Sequence, residues 1–84
     1  MNRDLLNNAS PRRVANACID VLDRLQNYQP HEQIMAAAAL FLSLAEAARV
    51  PAQDVFTATK NLINGVDGKR VEFRALDAYV RNEL

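Results

Sequence analysis

The chain has 84 residues, with ten basic and ten acidic side chains and therefore no formal net charge. This length suffices for one domain, and a domain of this size buries only about 60% of the surface that its unfolded chain exposes. Such domains are often stabilised by a metal, by disulfides or by oligomerisation. A single cysteine excludes an intramolecular disulfide, and one cysteine with one histidine is too few ligands for an ordinary zinc site. Composition therefore favours oligomerisation.

The balanced charge argues against a protein that binds nucleic acid without specificity, because that class carries a basic excess. It does not exclude a local basic patch. No long apolar run follows the first residues, and the most apolar stretch, 34–45, is about half as long as a membrane span. Together with the lone cysteine, these features predict a cytoplasmic protein.

Residues 1–9 are polar and unpatterned, and we expect them to be frayed, so that a single helical domain covers 10–84. Ser10-Pro11 predicts the start of the first helix, because Ser caps a helix and Pro suits its first position. Pro30 ends this helix. Its apolar stripe consists of Val14, Cys18, Val21, Leu25 and Tyr28. We interpret Cys18 as a small core residue; a reactive thiol is the alternative, for which the sequence shows no neighbouring base.

The second predicted helix runs from Pro30 to about Ala48, and between Ile34 and Ala48 only Ser43 and Glu46 are polar. A helix that is apolar on all sides must be covered on most of them. Two interpretations remain open: a central core helix, or a core helix with one face left for a second copy of the chain.

Four consecutive alanines, 36–39, would allow another helix to approach this one closely. We therefore predict a homodimer formed through this helix. Its interface residues would include Ala38, Phe41 and Leu42.

The third predicted helix begins at Pro51 and ends at Asn64-Gly65, where a left-handed glycine would close it and Val66 would pack back. Asp67-Gly68 suits a tight turn, although the flanking segments are too short for convincing strands. The fourth helix covers about 71–84. The sequence thus predicts an all-α, compact four-helix domain with a central apolar helix, present as a homodimer.

Residues 44–55, Leu-Ala-Glu-Ala-Ala-Arg-Val-Pro-Ala-Gln-Asp-Val, resemble the helix-turn-helix of lac-repressor-class DNA-binding proteins. In that class, a small residue at the position of Ala45 permits close helix crossing, Val50 would seat the turn and Val55 would anchor the recognition helix. Arg49 stands where the class usually has Gly, and Pro51 stands where it favours Ser or Thr.

The resemblance implies that Gln53, Thr57 and Lys60 would face a DNA groove, together with Ala52 and Phe56. Gln53 would contact adenine, and Lys60 a phosphate or guanine. The alternative is a pair of core helices joined by a tight turn. Even a genuine helix-turn-helix shape can serve protein contacts instead of DNA contacts.

No nucleophile–base pair, paired carboxylates or phosphate-binding glycine loop is recognisable, so we predict no enzyme, no cofactor and no metal. As a whole, the chain looks like the small helical accessory proteins of bacteriophages, which often bind one host protein. We therefore expect a regulatory module that binds a host or cellular protein. The alternatives are a DNA-binding regulator and, third, a small enzyme whose site is assembled from distant helices. Candidate partner-binding residues are Lys69, Arg70, Arg74, Arg12 and Arg13, which could equally be ordinary solvated charges.

Overall fold

Five α-helices and one short hairpin form the part of the chain described by the structure, a computed structural model covering residues 2–84. The helices are α1 (Arg3–Asn7), α2 (Pro11–Leu25), α3 (Pro30–Ala47), α4 (Ala52–Ile63) and α5 (Val71–Glu83). Strands β1 (Asn64–Gly65) and β2 (Gly68–Lys69) pair antiparallel between α4 and α5. The all-α prediction is confirmed, but there are five helices instead of four.

The additional helix is α1, which lies in the segment expected to be frayed. The side chain of Asn2 accepts a hydrogen bond from the backbone N–H of Asp4 and so caps α1. Helix α1 packs against α4, and Arg3 pairs with Asp54 at 2.8 Å. A short capped helix is therefore held in place by tertiary contacts. Met1 belonged to the same expectation and lies outside the described residues.

The predicted starts of α2 and α3 are confirmed, and local hydrogen bonds explain them. The Ser10 hydroxyl accepts from the backbone N–H of Arg13 at 3.3 Å, and Pro11 occupies the first turn. Before α3, the backbone N–H of Gln29 donates to the Glu32 carboxylate at 3.0 Å. These bonds satisfy helix-end groups that have no intrahelical partner.

The link between α4 and α5 differs from the prediction. Gly68, and not Gly65, adopts a positive φ, of 105°. Gly65 pairs with Gly68 in the two-residue strands, so Val66 and Asp67 form the tip of the hairpin. Val66 is fully exposed and does not pack back on α4. The chain therefore leaves α4 by entering an extended strand and not by a left-handed cap.

Helices α2 and α5 pack against each other. The Tyr79 hydroxyl on α5 donates a hydrogen bond to the Asp23 carboxylate on α2. Of the predicted α2 stripe, Cys18 is half-buried, whereas Val21 and Tyr28 are exposed. Within residues 2–84 the buried core consists of Ala15, Ala45, Val50, Ala58 and Phe73.

Helix α3 does not occupy the centre of the domain, which corrects the predicted central apolar helix. Its C-terminal part packs against α4, while every residue from 34 to 40 is exposed. Near its start, the Gln33 side chain donates to the Leu25 carbonyl at 2.8 Å. Residues 34–40 are exposed because α2 and α5 pack against each other and α4 crosses only the end of α3.

The Tyr79–Asp23 hydrogen bond should make stability depend on alkaline pH. Hydrogen bonding to the Asp23 carboxylate raises the pKa of Tyr79 to about 12, from an ordinary value of about 10. Because the pKa is raised in the folded state, the hydrogen bond contributes its full stabilisation at pH values below about 10. This contribution is lost as pH rises through about 12. In urea titrations, the unfolding free energy of the wild type should fall as pH rises through the alkaline range. We expect a smaller fall in Tyr79→Phe. The control Tyr28→Phe should retain all of it, and identical profiles would contradict the assignment.

Candidate functional site

The exposed part of α3 is an unusual apolar surface. Ile34 is 69% exposed, Met35 67% and Leu44 60%, although side chains of this kind are usually buried. No charged residue occurs between Gln33 and Ala45. We call the exposed apolar residues of this stretch the α3 surface; they are Ile34, Met35, Ala36, Ala37, Ala38, Ala39, Leu40, Leu42 and Leu44.

The total accessible area of the chain is larger than expected for a compact domain of this mass. The chain exposes 6551 Å². A compact monomer of this mass is expected to expose about 5,000 Å², so the excess is about 1,500 Å². The molecule measures 34 × 31 × 17 Å, and such a flat shape brings little of α3 under other elements. An excess of this size exceeds what each partner contributes to a standard protein interface, about 800 Å².

The turn between α3 and α4 bends the chain by 114°. Arg49 has a φ of 59°, the left-handed conformation that the usual glycine of a helix-turn-helix would take at this position. The backbone N–H of Val50 donates to the Ala45 carbonyl at 3.0 Å, and both side chains are buried. Val55 is half-buried. The turn therefore joins α3 and α4 at a steep angle around the buried side chains of Ala45 and Val50.

Gln53, Phe56, Thr57 and Lys60 are exposed and repeat on one face of α4, whereas Ala52 is half-buried. The Thr57 hydroxyl donates to the Gln53 carbonyl at 3.0 Å. The Lys60 ammonium lies 4.8 Å from the centre of the Phe56 ring. This cation–π contact engages the one basic residue of the face.

An apolar groove lies beside the turn, where α1, α3 and α4 meet. Its volume is about 230 Å³. The residues lining it are Leu6, Phe41, Leu44, Ala45, Ala48, Val50 and Val55. Of the residues predicted for self-association, half-buried Phe41 lines this groove, while Ala38 and Leu42 are exposed on α3. Sequence patterning missed Leu6 because α1 was not predicted.

The basic cluster around the hairpin is partly engaged in internal contacts. Lys69 pairs with Asp77 on α5. The Arg70 Nε donates to the Leu62 carbonyl at 2.8 Å, so its guanidinium satisfies the C-terminal end of α4. Arg74 is exposed. The cluster predicted for partner binding thus divides into two residues that support the fold and one that faces solvent.

Arg12 and Arg13 are exposed in the first turn of α2, which contains no acidic residue. Positive charge near a helix N-terminus opposes the helix dipole, at a cost of about 0.3–1 kcal/mol per charge. Helix stability therefore does not explain why two arginines stand here.

The Cys18 side chain is half-buried on α2. Burial raises the pKa of the Cys18 thiol, so the less nucleophilic protonated form predominates at neutral pH. No three His, Cys, Asp or Glu residues within 2–84 are arranged to hold a metal ion. Among the helices of the same range, none by itself is long and apolar enough to cross a membrane; α3 and α4 reach that length only as a bent pair.

Comparisons with protein families, with curated proteins and with solved structures found no match to this chain. The geometry of its own residues is therefore what any functional proposal rests on.

The left-handed backbone at Arg49 predicts that a change to glycine stabilises the protein at this position and destabilises it at a position within a helix. Arg49→Gly should raise the unfolding free energy by about 0.5–1 kcal/mol, because an L-residue is disfavoured in this conformation and glycine is not. Arg74→Gly, within α5, should lower it by a similar amount. Urea denaturation of both variants provides the test. Equal destabilisation by the two changes would contradict the strained turn.

Proposed function

We propose that this protein is a non-catalytic protein-binding module and that α3 is its docking element. The observation that carries the proposal is the α3 surface, a run of exposed apolar side chains without a charge. Contiguous apolar patches on a small domain typically mark interaction sites, because burying them on a partner removes apolar area from water. Each Å² of apolar area buried contributes about 25 cal/mol, so covering these side chains would favour association.

The proposal includes self-association through α3, with Ala38, Phe41 and Leu42 in the interface. The buried core contains one aromatic side chain, Phe73, among the described residues, and several large apolar side chains of α3 are exposed. A second copy would cover this bulk without requiring any new polar contact. Ala38 is small enough to let a neighbouring helix approach.

A dimer joined through α3 would keep its arginines available for a further protein. Arg12, Arg13 and Arg74 are exposed, and arginine is favoured as an anchor in protein interfaces. A small regulatory protein that binds a host or cellular protein through such residues is the role that we propose. Lys69 and Arg70 are less suited to it, because their side chains already have partners within the fold.

Two alanines of α3 allow a matched test of the docking element. Ala38→Glu places a carboxylate on the face that carries Ile34 and Phe41, and Ala47→Glu places the same group at an exposed position of α3 outside the α3 surface. Burying an unpaired charge is costly. We expect Ala38→Glu to raise the dissociation constant for self-association by at least tenfold, which corresponds to about 1.4 kcal/mol. Ala47→Glu should change it little.

Sedimentation equilibrium measures the dissociation constants, and circular dichroism checks that both variants keep their helices. A wild type that remains monomeric at high concentration would contradict self-association. Equal effects of the two variants would contradict the choice of face.

A DNA-binding regulator is a second candidate, favoured by the geometry of the α3–α4 turn. The bend of 114° and the left-handed Arg49 are the features that a helix-turn-helix needs. Gln53, Thr57 and Lys60 occupy the corresponding exposed face of α4. This candidate ranks second because the face carries a single basic residue and DNA affinity depends on neutralising phosphates.

The two candidates differ in their salt dependence. We expect weak binding of the wild type to a random DNA duplex at physiological salt, because the formal net charge is zero. Fluorescence anisotropy over a salt series tests this. Tight binding, with a salt slope that decreases by about one in Lys60→Ala, would favour the DNA regulator. Lys69→Ala is the matched control, since Lys69 is paired with Asp77 and lies outside the α4 face.

A further inference from the structure

Helix α1 is too short to be stable by itself. It contains five residues, Arg3–Asn7, and none of them is buried. Isolated helices shorter than about 12 residues are marginal in water, so α1 depends on its caps and on tertiary contacts. Asn2 caps its start, and near its end the Asn8 side chain donates to the Asp4 carbonyl at 2.8 Å. Both bonds are local, so the contacts of α1 with α4 determine where it lies on the domain.

Helix α1 is attached to α4 by an ion pair and by an apolar side chain. Arg3 pairs with Asp54 at 2.8 Å, and the two side chains are 65% and 41% exposed. A pair that is exposed to this extent contributes little to stability and is weakened by salt. Leu6 is half-buried, whereas its neighbour Leu5 is 71% exposed. Leu6 is therefore the stronger of the two attachments.

Leu6 lines two adjoining pockets. One is the apolar groove, in which Leu6 faces Phe41 and Leu44 of α3 and Val55 of α4. The other has a volume of about 200 Å³ and lies between α1 and α4, where Ala58 lines it and is buried. Helix α1 thus covers Ala58 and forms one wall of the apolar groove. Leu44, on another wall, also belongs to the α3 surface.

Building on the proposed docking role of α3, we propose that α1 is a displaceable cover. It leaves α4 while the rest of the domain stays folded, and its departure joins the apolar groove to the α3 surface. Without Leu6 the groove becomes an open cleft between α3 and α4, with Phe41 and Val55 on its walls. The closed state therefore limits the docking element at the end of α3 that contacts α4, and the open state extends it.

The way in which α1 is connected to α2 permits such a local opening. Residues 8–10 separate the two helices. The Ser10 hydroxyl caps α2 by accepting from the backbone N–H of Arg13, a bond that does not involve α1. Segments with few buried apolar contacts open at a lower free energy than the whole domain unfolds. A partner that places an apolar side chain in the vacated groove would hold the cover open, because it buries the area that Leu6 leaves.

Thiol labelling with iodoacetamide tests the cover in full-length chains that carry Cys18→Ala. Ala58→Cys reports on the opening of α1, and Ala15→Cys, buried on α2, reports on global unfolding. Adding Leu6→Ala to the first chain should accelerate its labelling at least about tenfold, because the apolar attachment is lost. Leu5→Ala is the matched control, since it makes the same change in helix propensity at an exposed position. Its labelling rate should stay within about twofold of the parent chain.

The ion pair gives a second, independent arm. Arg3→Gln should accelerate labelling of Ala58→Cys about two- to fivefold at low salt. Added salt should narrow this difference by weakening the pair in the parent chain. Equal labelling rates in Leu5→Ala and Leu6→Ala would overturn the cover. So would equal acceleration by Leu6→Ala at Ala58→Cys and Ala15→Cys, because α1 would then unfold only with the whole domain.

Binding of anilinonaphthalene sulfonate, a dye that fluoresces on apolar surface, tests whether opening extends that surface. Fluorescence should increase at least about twofold in Leu6→Ala and should not change in Leu5→Ala. No increase in Leu6→Ala would overturn the link between the cover and the docking element. None of these measurements requires a partner. A chain that labels as expected but never self-associates contradicts the proposed self-association alone, and a chain that fails the labelling test leaves α3 as the docking element.

Discussion

The packing of this protein is governed by the mismatch between the apolar bulk of α3 and the small volume that the other helices enclose. Leucine, isoleucine and methionine side chains stand on α3, yet Phe73 is the one large residue in the buried core of residues 2–84. Helices α2 and α5 pack against each other through apolar side chains, and α4 covers only the end of α3. The area left over is what the proposed function draws on, because burial of apolar surface is the main favourable term in association.

The turn at Arg49 determines where that uncovered helix lies. By bending the chain sharply after Ala45, it directs α4 away from the axis of α3 and keeps the two helices in contact only near Val50. A fuller reversal of the chain would lay α4 along α3 and cover more of its apolar side chains. The same bend presents the exposed face of α4 to solvent, so one backbone conformation produces both surfaces for which a binding role is proposed.

Local signals predicted most of the helix boundaries, because Ser10, Pro11 and Pro30 act through the backbone of their own turn. Tertiary arrangement was less accessible. The apolar circumference of α3 predicted burial, but periodicity does not say which helices are available to cover it. Helix α1 was missed because five polar-flanked residues lack a stripe, and its contacts are with α4, which is distant in sequence.

The candidate site shows the same division between local and distant information. Ala45 and Val50 are buried beside the turn and Gln53 is exposed, which are local features of the kind that spacing can indicate. The roles of Lys69 and Arg70 could not be predicted, since one depends on Asp77 and the other on a carbonyl of α4. Charge alone did not distinguish a residue that supports the fold from one free to meet a partner.

The exposed α3 has a biological consequence: when folding and association are linked, stability rises with protein concentration. If the chain self-associates as proposed, a cell that makes little of this protein would hold it as a monomer, which proteases degrade more easily. Higher synthesis would favour the associated form and protect it, so the expression level would determine how long the protein persists.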